Sequence, residues 1–478
     1  MPGKWIQRMQ RMQPEMFLGK LAVLVVLLCV IGIQSTTSVH AQTAGWPTYL
    51  HDNARSGFNA ADTKINRSTV ANLKLKWTHT TSGSISTQAI VVNGIAYWGS
   101  WDGYEHATNV NTNALVWARN LGTTTSSNCS PTVVGVASSA TVTTVSIGGK
   151  NTLVDFVGGG TANFFALDAT NGNVIWSTQL GSSPDNFTWS SPAVYKGSVY
   201  IGLASFGDCP LVQGKLIQLD AATGAIKNTF KVVPDGCTGA GVWGSPTIDA
   251  TNGTVYFSTG NAGSCSSSEN YSVSLVEVTA SNLSFVHHWQ VPANQQLFDT
   301  DFGSTPTLFH ATINGTDTPM VGLPNKNGVY YAFNRNNINA GPVWQDTLAR
   351  GGACPQCGDG SISSSAWDGT NLYLAGGNTT IGGQSCAGGV RQVDPSSGHF
   401  IWEHCMLDGP VLGAVTAVAG VVVVGQGTYI MAVDAVTGNT LFRFQDTNSN
   451  SLFYASASIS NGIMLMGNFD GNLYALAP

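Results

Sequence analysis

Cys354-Pro-Gln-Cys357 has the spacing of a redox dithiol, of half a zinc site, or of a c-type haem attachment. Each of these needs a further feature. A thioredoxin-like dithiol needs a strand–helix context, which the neighbouring residues lack. Zinc needs a second ligand pair at suitable spacing. A c-type haem needs His directly after the second cysteine, and Gly358 stands there. The pair therefore reads as a structural disulfide. His287 and His288 lie on a strand-like stretch, where successive side chains face opposite ways, so they do not share a metal. No phosphate-cradling glycine loop opens a helix, and no Ser-His-Asp spacing can be read. Among groups able to move protons, Asp299 and Asp301 sit in Asp299-Thr-Asp301-Phe-Gly-Ser-Thr-Pro306, and Lys326 precedes Asn327-Gly328. Taken singly, these read as a loop cap and a solvated lysine beside a hairpin turn.

The elements that must position such residues form a repeat. Ala166-Leu-Asp168-Ala-Thr-Asn-Gly172-Asn-Val-Ile-Trp176 is one copy: a strand, an Asp-led turn ending in Gly, and a strand ending in Trp. The Asp carboxylate can accept backbone N–H groups within the turn, and Gly takes the positive φ the turn requires. Close relatives begin at Asp220, Asp394 and Asp434, weaker ones at Asn109, Glu277 and Asn334, and the copy at Asp470 is unfinished. A strand pair precedes each turn unit, as in residues 191–202 and 245–260. Four antiparallel strands per unit, repeated eight times, predict an all-β fold: an eight-bladed β-propeller of four-stranded antiparallel blades. The last blade is one strand short. The alternating stretch Leu73-Lys-Leu-Lys-Trp77-Thr-His-Thr80 is expected to supply it, so that N- and C-terminal strands pair and close the ring. The prefix Trp46 to Gly57 would then wrap the outside. Trp117, Trp176 and Trp402 recur eight residues after the first residue of their turns, Phe442 takes the same offset, and Trp289 and Trp344 are near-equivalents. Such regular placement reads as blade-to-blade packing.

At the N-terminus, Lys4, Arg8, Arg11 and Lys20 precede an apolar run from Leu21 to Ile33 and a small-residue stretch ending at Ala41. This is the order of a secretory signal, with an uncleaved anchor as the alternative. The expected division is thus 1–41 signal, 42–72 N-terminal segment and 73–478 propeller, with no integral membrane domain in the mature chain. Cleavage would remove four basic residues and Glu15, leaving 16 Lys+Arg against 25 Asp+Glu, a net charge of about −9. No basic run survives, which excludes nucleic acid as a partner. Eight cysteines would remain, an even number that suits disulfides in an exported chain. Cys386 with Cys405 and Cys209 with Cys237 are the expected pairs besides Cys354–Cys357.

The motif Ala-x-Asp-x-x-Thr-Gly-x-x-x-Trp resembles the tryptophan-docking repeat of the pyrroloquinoline quinone (PQQ) dehydrogenases, which are eight-bladed propellers. Residues 46–57 and Gly239-Ala-Gly-Val-Trp243-Gly-Ser-Pro-Thr-Ile-Asp249 carry a likeness to the polyvinyl-alcohol-dehydrogenase-like branch. The resemblance implies roles for four residues. Trp243 matches the floor under PQQ, and Asn261 the amide ligand of an active-site Ca²⁺. Asp301 matches the catalytic carboxylate, which is also a metal ligand, and Lys326 the basic residue at the quinone oxygens. The family's Glu calcium ligand has Asp208 in its neighbourhood here, and the family's adjacent Cys-Cys pair is missing, Cys129 standing alone in Ser-Asn-Cys-Ser. An exported enzyme oxidising a small or polymeric alcohol with PQQ and Ca²⁺, and passing electrons to an external acceptor, is the first expectation. A cofactor-free propeller serving as an envelope or extracellular binding or scaffold module is the alternative.

Overall fold

The computed structural model describes residues 44–447 and 451–478; the expected signal at 1–41 lies outside the described residues. Eight antiparallel four-stranded blades follow one another along the chain. Blades 1 to 7 occupy residues 90–120, 141–179, 193–231, 247–290, 307–347, 366–406 and 416–445. Blade 8 takes its three inner strands from 458–477 and its outer strand from Lys74–Thr80, which pairs antiparallel with Asn472–Ala477. Chain closure is therefore as the strand count required. Among the described residues, no helix is long and apolar enough to cross a membrane.

The repeat works as a docking joint. In each full turn the Asp oxygen accepts backbone N–H groups, as Asp168 does from Thr170 at 2.9 Å and Asp434 from Val436 at 2.8 Å. The Trp of one blade lies flat on the turn Gly of the next: a Cβ on Gly172 would stand 2.7 Å from the Trp117 ring, and one on Gly438 2.6 Å from Trp402. The indole N–H completes the joint, Trp117 donating to the Ala169 carbonyl at 2.9 Å and Trp402 to Ala435 at 3.1 Å. Gly is thus demanded twice, by φ values near +70° and by the ring above it. Trp77 makes the same joint from the N-terminal strand, donating to Val110 at 3.0 Å. Phe442 stands where the next blade has no such turn, because blade 8 takes its outer strand from Lys74–Thr80. An indole there would have no turn carbonyl to reach.

The prefix does not wrap the outside. Residues 46–59 run past the inner strands, bonding one blade after another. Trp46 pairs with Val91, the Ile248 N–H donates to Asn53, Leu308 to Ala54, Trp367 to Ser56 and Ala417 to Gly57. Arg55, fully buried, donates to the carbonyls of Pro192 and Pro246 at 3.0 Å each. An inner strand has one unpaired edge facing the axis, and this segment satisfies those edges.

A ring of hydroxyls surrounds the axis. The N–H of Gln88 donates to Ser139 Oγ at 2.8 Å, Ser139 to Ser191 at 2.9 Å, and Ser191 to Ser245 at 2.9 Å. Ser245 continues to Thr305 at 3.0 Å, Thr305 to Ser364 at 2.8 Å, and Ala414 to Ser456 at 2.8 Å. These are the same position in eight blades, and two of the eight, Gln88 and Ala414, lack a hydroxyl.

Two of the three expected disulfides form, Cys354–Cys357 and Cys386–Cys405. Cys209 pairs instead with Cys129, and Cys237 with Cys265. Loops from different blades meet on one face of the disc, so nearness in sequence does not choose the partner.

Candidate functional site

A cavity of about 610 Å³ opens on the face formed by the blade-to-blade links and the second-to-third-strand loops. Trp243, Asn261, Asp301, Lys326 and Asp208 all line it. Trp243 and Asp301 come from the links entering blades 4 and 5, Asn261 and Lys326 from the second-to-third-strand loops of those blades. Backbone bonds lace the four loops together: Ala240 N–H donates to Asn261, Gly260 to Gly241, and Lys326 to Asp301. Trp243 rests on a glycine seat, since a Cβ on Gly303 would stand 2.0 Å from its ring.

Asp301, 6% exposed, accepts the Asn261 N–H at 2.5 Å on one oxygen and Lys326 Nζ at 3.1 Å on the other. Burial pushes its carboxyl up to about 6, the Lys326 charge acting against that shift and Asp299 with it. Lys326 is held above its ordinary value: burial lowers it, and the attraction of Asp301 and Asp299 outweighs that. Its Nζ also lies 5.4 Å from the Trp243 ring centroid, in cation–π range.

Asp299 belongs to the cluster, a role the sequence did not reveal. Its Oδ1 accepts Lys326 Nζ at 2.9 Å and Asn261 Nδ2 at 2.6 Å. In an extended chain Asp299 and Asp301 would both face one side; the φ of +58° at Asp299 instead makes a tight bend that gathers both carboxylates around one ammonium. The Asp-x-Asp spacing was the available signal.

Asp208 makes no hydrogen bond or ion pair with this cluster, though it lines the same cavity and its charge adds to the raising of Asp301. It is exposed, and its carboxylate accepts the Ser205 hydroxyl. His287 turns to Glu277 at 2.8 Å while His288 meets the Tyr271 ring, so the two do diverge. Among the described residues, no group of three or more His, Cys, Asp or Glu side chains converges to hold a metal.

The opposite wall is aromatic. Tyr454 stacks on Phe469 at 4.8 Å, Phe469 lies 5.2 Å from Trp101, Trp101 6.2 Å from Trp189, and Trp189 6.4 Å from Phe206. Cys129 and Cys209 pack behind this arc, in a cluster with Phe187 and Phe206. The cavity thus has a charged side on blades 4 and 5 and an aromatic side on blades 8, 1 and 3.

Residues 185–345 match the family model described as glucose/ethanol/alcohol dehydrogenase, beta-propeller domain, and residues 326–478 match that of outer membrane protein assembly factor BamB. The chain is similar to the PQQ-dehydrogenase β-propellers. It is 24% identical to a polyvinylalcohol dehydrogenase of a Pseudomonas species, over 88% of this chain and 70% of that protein. It is 26% identical to a quinohemoprotein alcohol dehydrogenase of Comamonas testosteroni over 62% of this chain, but spans only 46% of that protein. The crystal structure of the Comamonas testosteroni quinohemoprotein superposes with a TM-score of 0.70 at 19% identity, covering 91% of this chain and 80% of that one.

The residues present fit a quinone in kind. A PQQ-like propeller with a flat indole on a glycine seat, a buried ammonium beside it and a volume within the usual 300–1,000 Å³ of ligand pockets has the parts a planar polyanionic ring system needs. A hard cation is matched less fully. Asn261, Asp299 and Asp301 offer amide and carboxylate oxygens, but Lys326 Nζ now neutralises both acids, and Asn261 Oδ1 accepts the Thr300 N–H at 2.8 Å.

Proposed function

We propose that this propeller is an exported quinoprotein-type oxidoreductase that oxidises an alcohol, in which Trp243 and Lys326 would hold PQQ and Asn261 and Asp301 a Ca²⁺ ion. The observation that carries the reading is the convergence of Trp243, Asn261, Asp301 and Lys326 in one cavity. When bound, PQQ supplies a hydride acceptor and Ca²⁺ a Lewis acid beside it. Asp301 would take the hydroxyl proton of the alcohol as general base. Lys326 presents positive charge to the quinone oxygens, and Asp299 holds the ammonium in place. Asn261 and Asp301, with Asp299, would hold the metal. The aromatic arc offers an uncharged surface to the carbon skeleton of the alcohol. An external acceptor would be needed to take the electrons and complete a turnover.

The match of residues 326–478 to the assembly-factor model, and the engagement of the Asp208 carboxylate with Ser205, favour a second reading: a cofactor-free module that binds an envelope partner. Purified protein incubated with PQQ and CaCl₂ and assayed for dye reduction with a panel of alcohols decides between them. Alcohol-dependent reduction that D301N abolishes supports the enzyme. No reduction and no retained quinone supports the module.

A further inference from the structure

The Cys354–Cys357 bridge belongs to the cavity rather than to the frame of the disc. It closes the tip of the link that leaves blade 5, residues 348–361. Gln356, between the two cysteines, is exposed and lines the cavity with Lys326 and Asp301. Cys357 is exposed and Cys354 half-buried, so a reductant can reach the bond. The bridged cysteines are 3 apart in sequence, against 19, 28 and 80 in the other disulfides. So short a ring removes the least chain entropy from the unfolded state, and its weight in global stability is the smallest of the four. What it constrains is local.

Both limbs of the link lie on the backbone around Lys326. The Gly352 N–H donates to the Lys326 carbonyl at 3.0 Å, Ser361 to Asn325 at 3.3 Å, and Leu348 to Gly328 at 2.8 Å. The approach requires glycine: a Cβ on Gly360 would stand 2.1 Å from the Lys326 oxygen, and one on Gly351 2.5 Å from that of Asn327. The limbs are also tied to each other. The Gly360 N–H donates to the Arg350 carbonyl at 2.6 Å, the Arg350 guanidinium to Asp359 at 2.8 Å, and the Asp359 N–H to Cys354 at 3.0 Å. The reversal at the tip has two backbone bonds of its own, Cys357 to Cys354 and Gly358 to Pro355, each at 2.9 Å. A single turn of this kind is a weak hold without a cross-link.

Lys326 Nζ joins Asp299 and Asp301, at 2.9 and 3.1 Å, so the backbone that carries it sets the charged side of the cavity. We propose that the Cys354–Cys357 bridge is a positioning clasp for Lys326: closed, it holds both limbs of the link against residues 325–328, and opened by a dithiol reductant it releases them and lets the ammonium move from between the two acids. The step balances. The dithiol gives two electrons and two protons, the S–S bond becomes two thiols, and the dithiol closes to its own disulfide. The action of Lys326 on a quinone rests on the function proposed above; the clasp does not.

The test needs no quinone. Wild type, C354S/C357S and wild type treated briefly with dithiothreitol are compared, the last in the fraction where thiol alkylation and peptide mapping find this bridge alone open. The readout is the acetylation rate of Lys326 by N-hydroxysuccinimidyl acetate, relative to Lys215 and Lys227 of blade 3 in the same sample. The expected result is labelling of Lys326 about three- to tenfold faster in C354S/C357S and in the reduced wild type, as local opening becomes easier. The reference lysines should be unchanged, and reoxidation of the reduced protein should restore the wild-type rate. A bridge that served only global stability would raise all three lysines together. Equal Lys326 rates with the bridge closed and open, or a rise shared by the reference lysines, overturn the proposal. Should C354S/C357S fail to fold, reduced against reoxidised wild type decides alone. A PQQ titration of the same samples is read separately: if the wild type binds no quinone, the proposed function fails, and the labelling of Lys326 still decides the clasp.

Discussion

Gly303 lies face-on beneath Trp243, so close that a methyl group on it would stand 2.0 Å from the indole Cη2. The seat is backbone on a link that also carries Asp301, so it cannot withdraw without moving the acid. G303A is expected to fold, because the surrounding blades are untouched, but to tilt Trp243 and lose quinone binding by tenfold or more. Titration with PQQ alongside a melting curve checks this; unchanged affinity would show that the indole is not a floor.

Lys326 is the only cation in contact with Asp299 and Asp301 among the described residues, and its side chain is 9% exposed. K326M leaves two acids facing each other without compensation. A loss of about 3–5 kcal/mol in apo-protein stability is expected, as for other broken buried pairs. Added Ca²⁺ should recover part of it if the acids are metal ligands. Chemical denaturation with and without CaCl₂ measures both effects.

Blade docking gives a prediction away from the cavity. Trp117 is 7% exposed and donates to Ala169 across the blade 1–blade 2 joint. W117A should cost about 3–5 kcal/mol as a large buried ring is lost. G172A should also destabilise, since its Cβ meets that ring and its φ is +71°. The double variant should cost less than the sum of the two, because removing the ring relieves the clash.

How far the fold and site could be read in advance follows from the same joints. The Asp, Gly and Trp of the repeat each do a separate job in one turn, so their spacing is visible in the chain, and a strand count one short announces closure by Lys74–Thr80. The path of residues 46–59 was not visible. It is fixed by backbone bonds to successive inner strands, which any sequence can make, and by Arg55 reaching two carbonyls. Asp299 was legible only as a neighbour of Asp301, because a positive φ at a single aspartate decides where its carboxylate goes. The Cys129–Cys209 bond joins residues 80 apart in sequence, one in the link entering blade 2 and one in a loop of blade 3, which meet only when those blades pack.

Glu105 and Asp155 supply a pH prediction. Both are fully buried, and none of their four carboxylate oxygens has a hydrogen-bond partner. Burial pushes Asp155 up to about 8 and Glu105 well above its ordinary value, with the Asp155 charge adding to the second shift. A carboxyl whose folded pKa is raised favours the protonated native state, so the folded chain binds more protons than the unfolded one. Stability should therefore fall as pH rises from about 4 towards 8, then level off. D155N should remove part of that slope and stabilise the protein at pH 8 relative to pH 5, because the amide has no proton to release on the way. Denaturant midpoints at pH 5 and pH 8 for wild type and D155N provide the check; a slope of opposite sign would refute it.

The most direct measurement is equilibrium binding of PQQ to the purified propeller in the presence of CaCl₂, followed by fluorescence and by the quinone absorbance retained after gel filtration. One quinone per chain in the wild type, lost in W243A and weakened in K326M, is the expected result. A wild-type protein that retains no quinone, with an intact melting transition, would contradict a quinoprotein site and leave the propeller as a binding module.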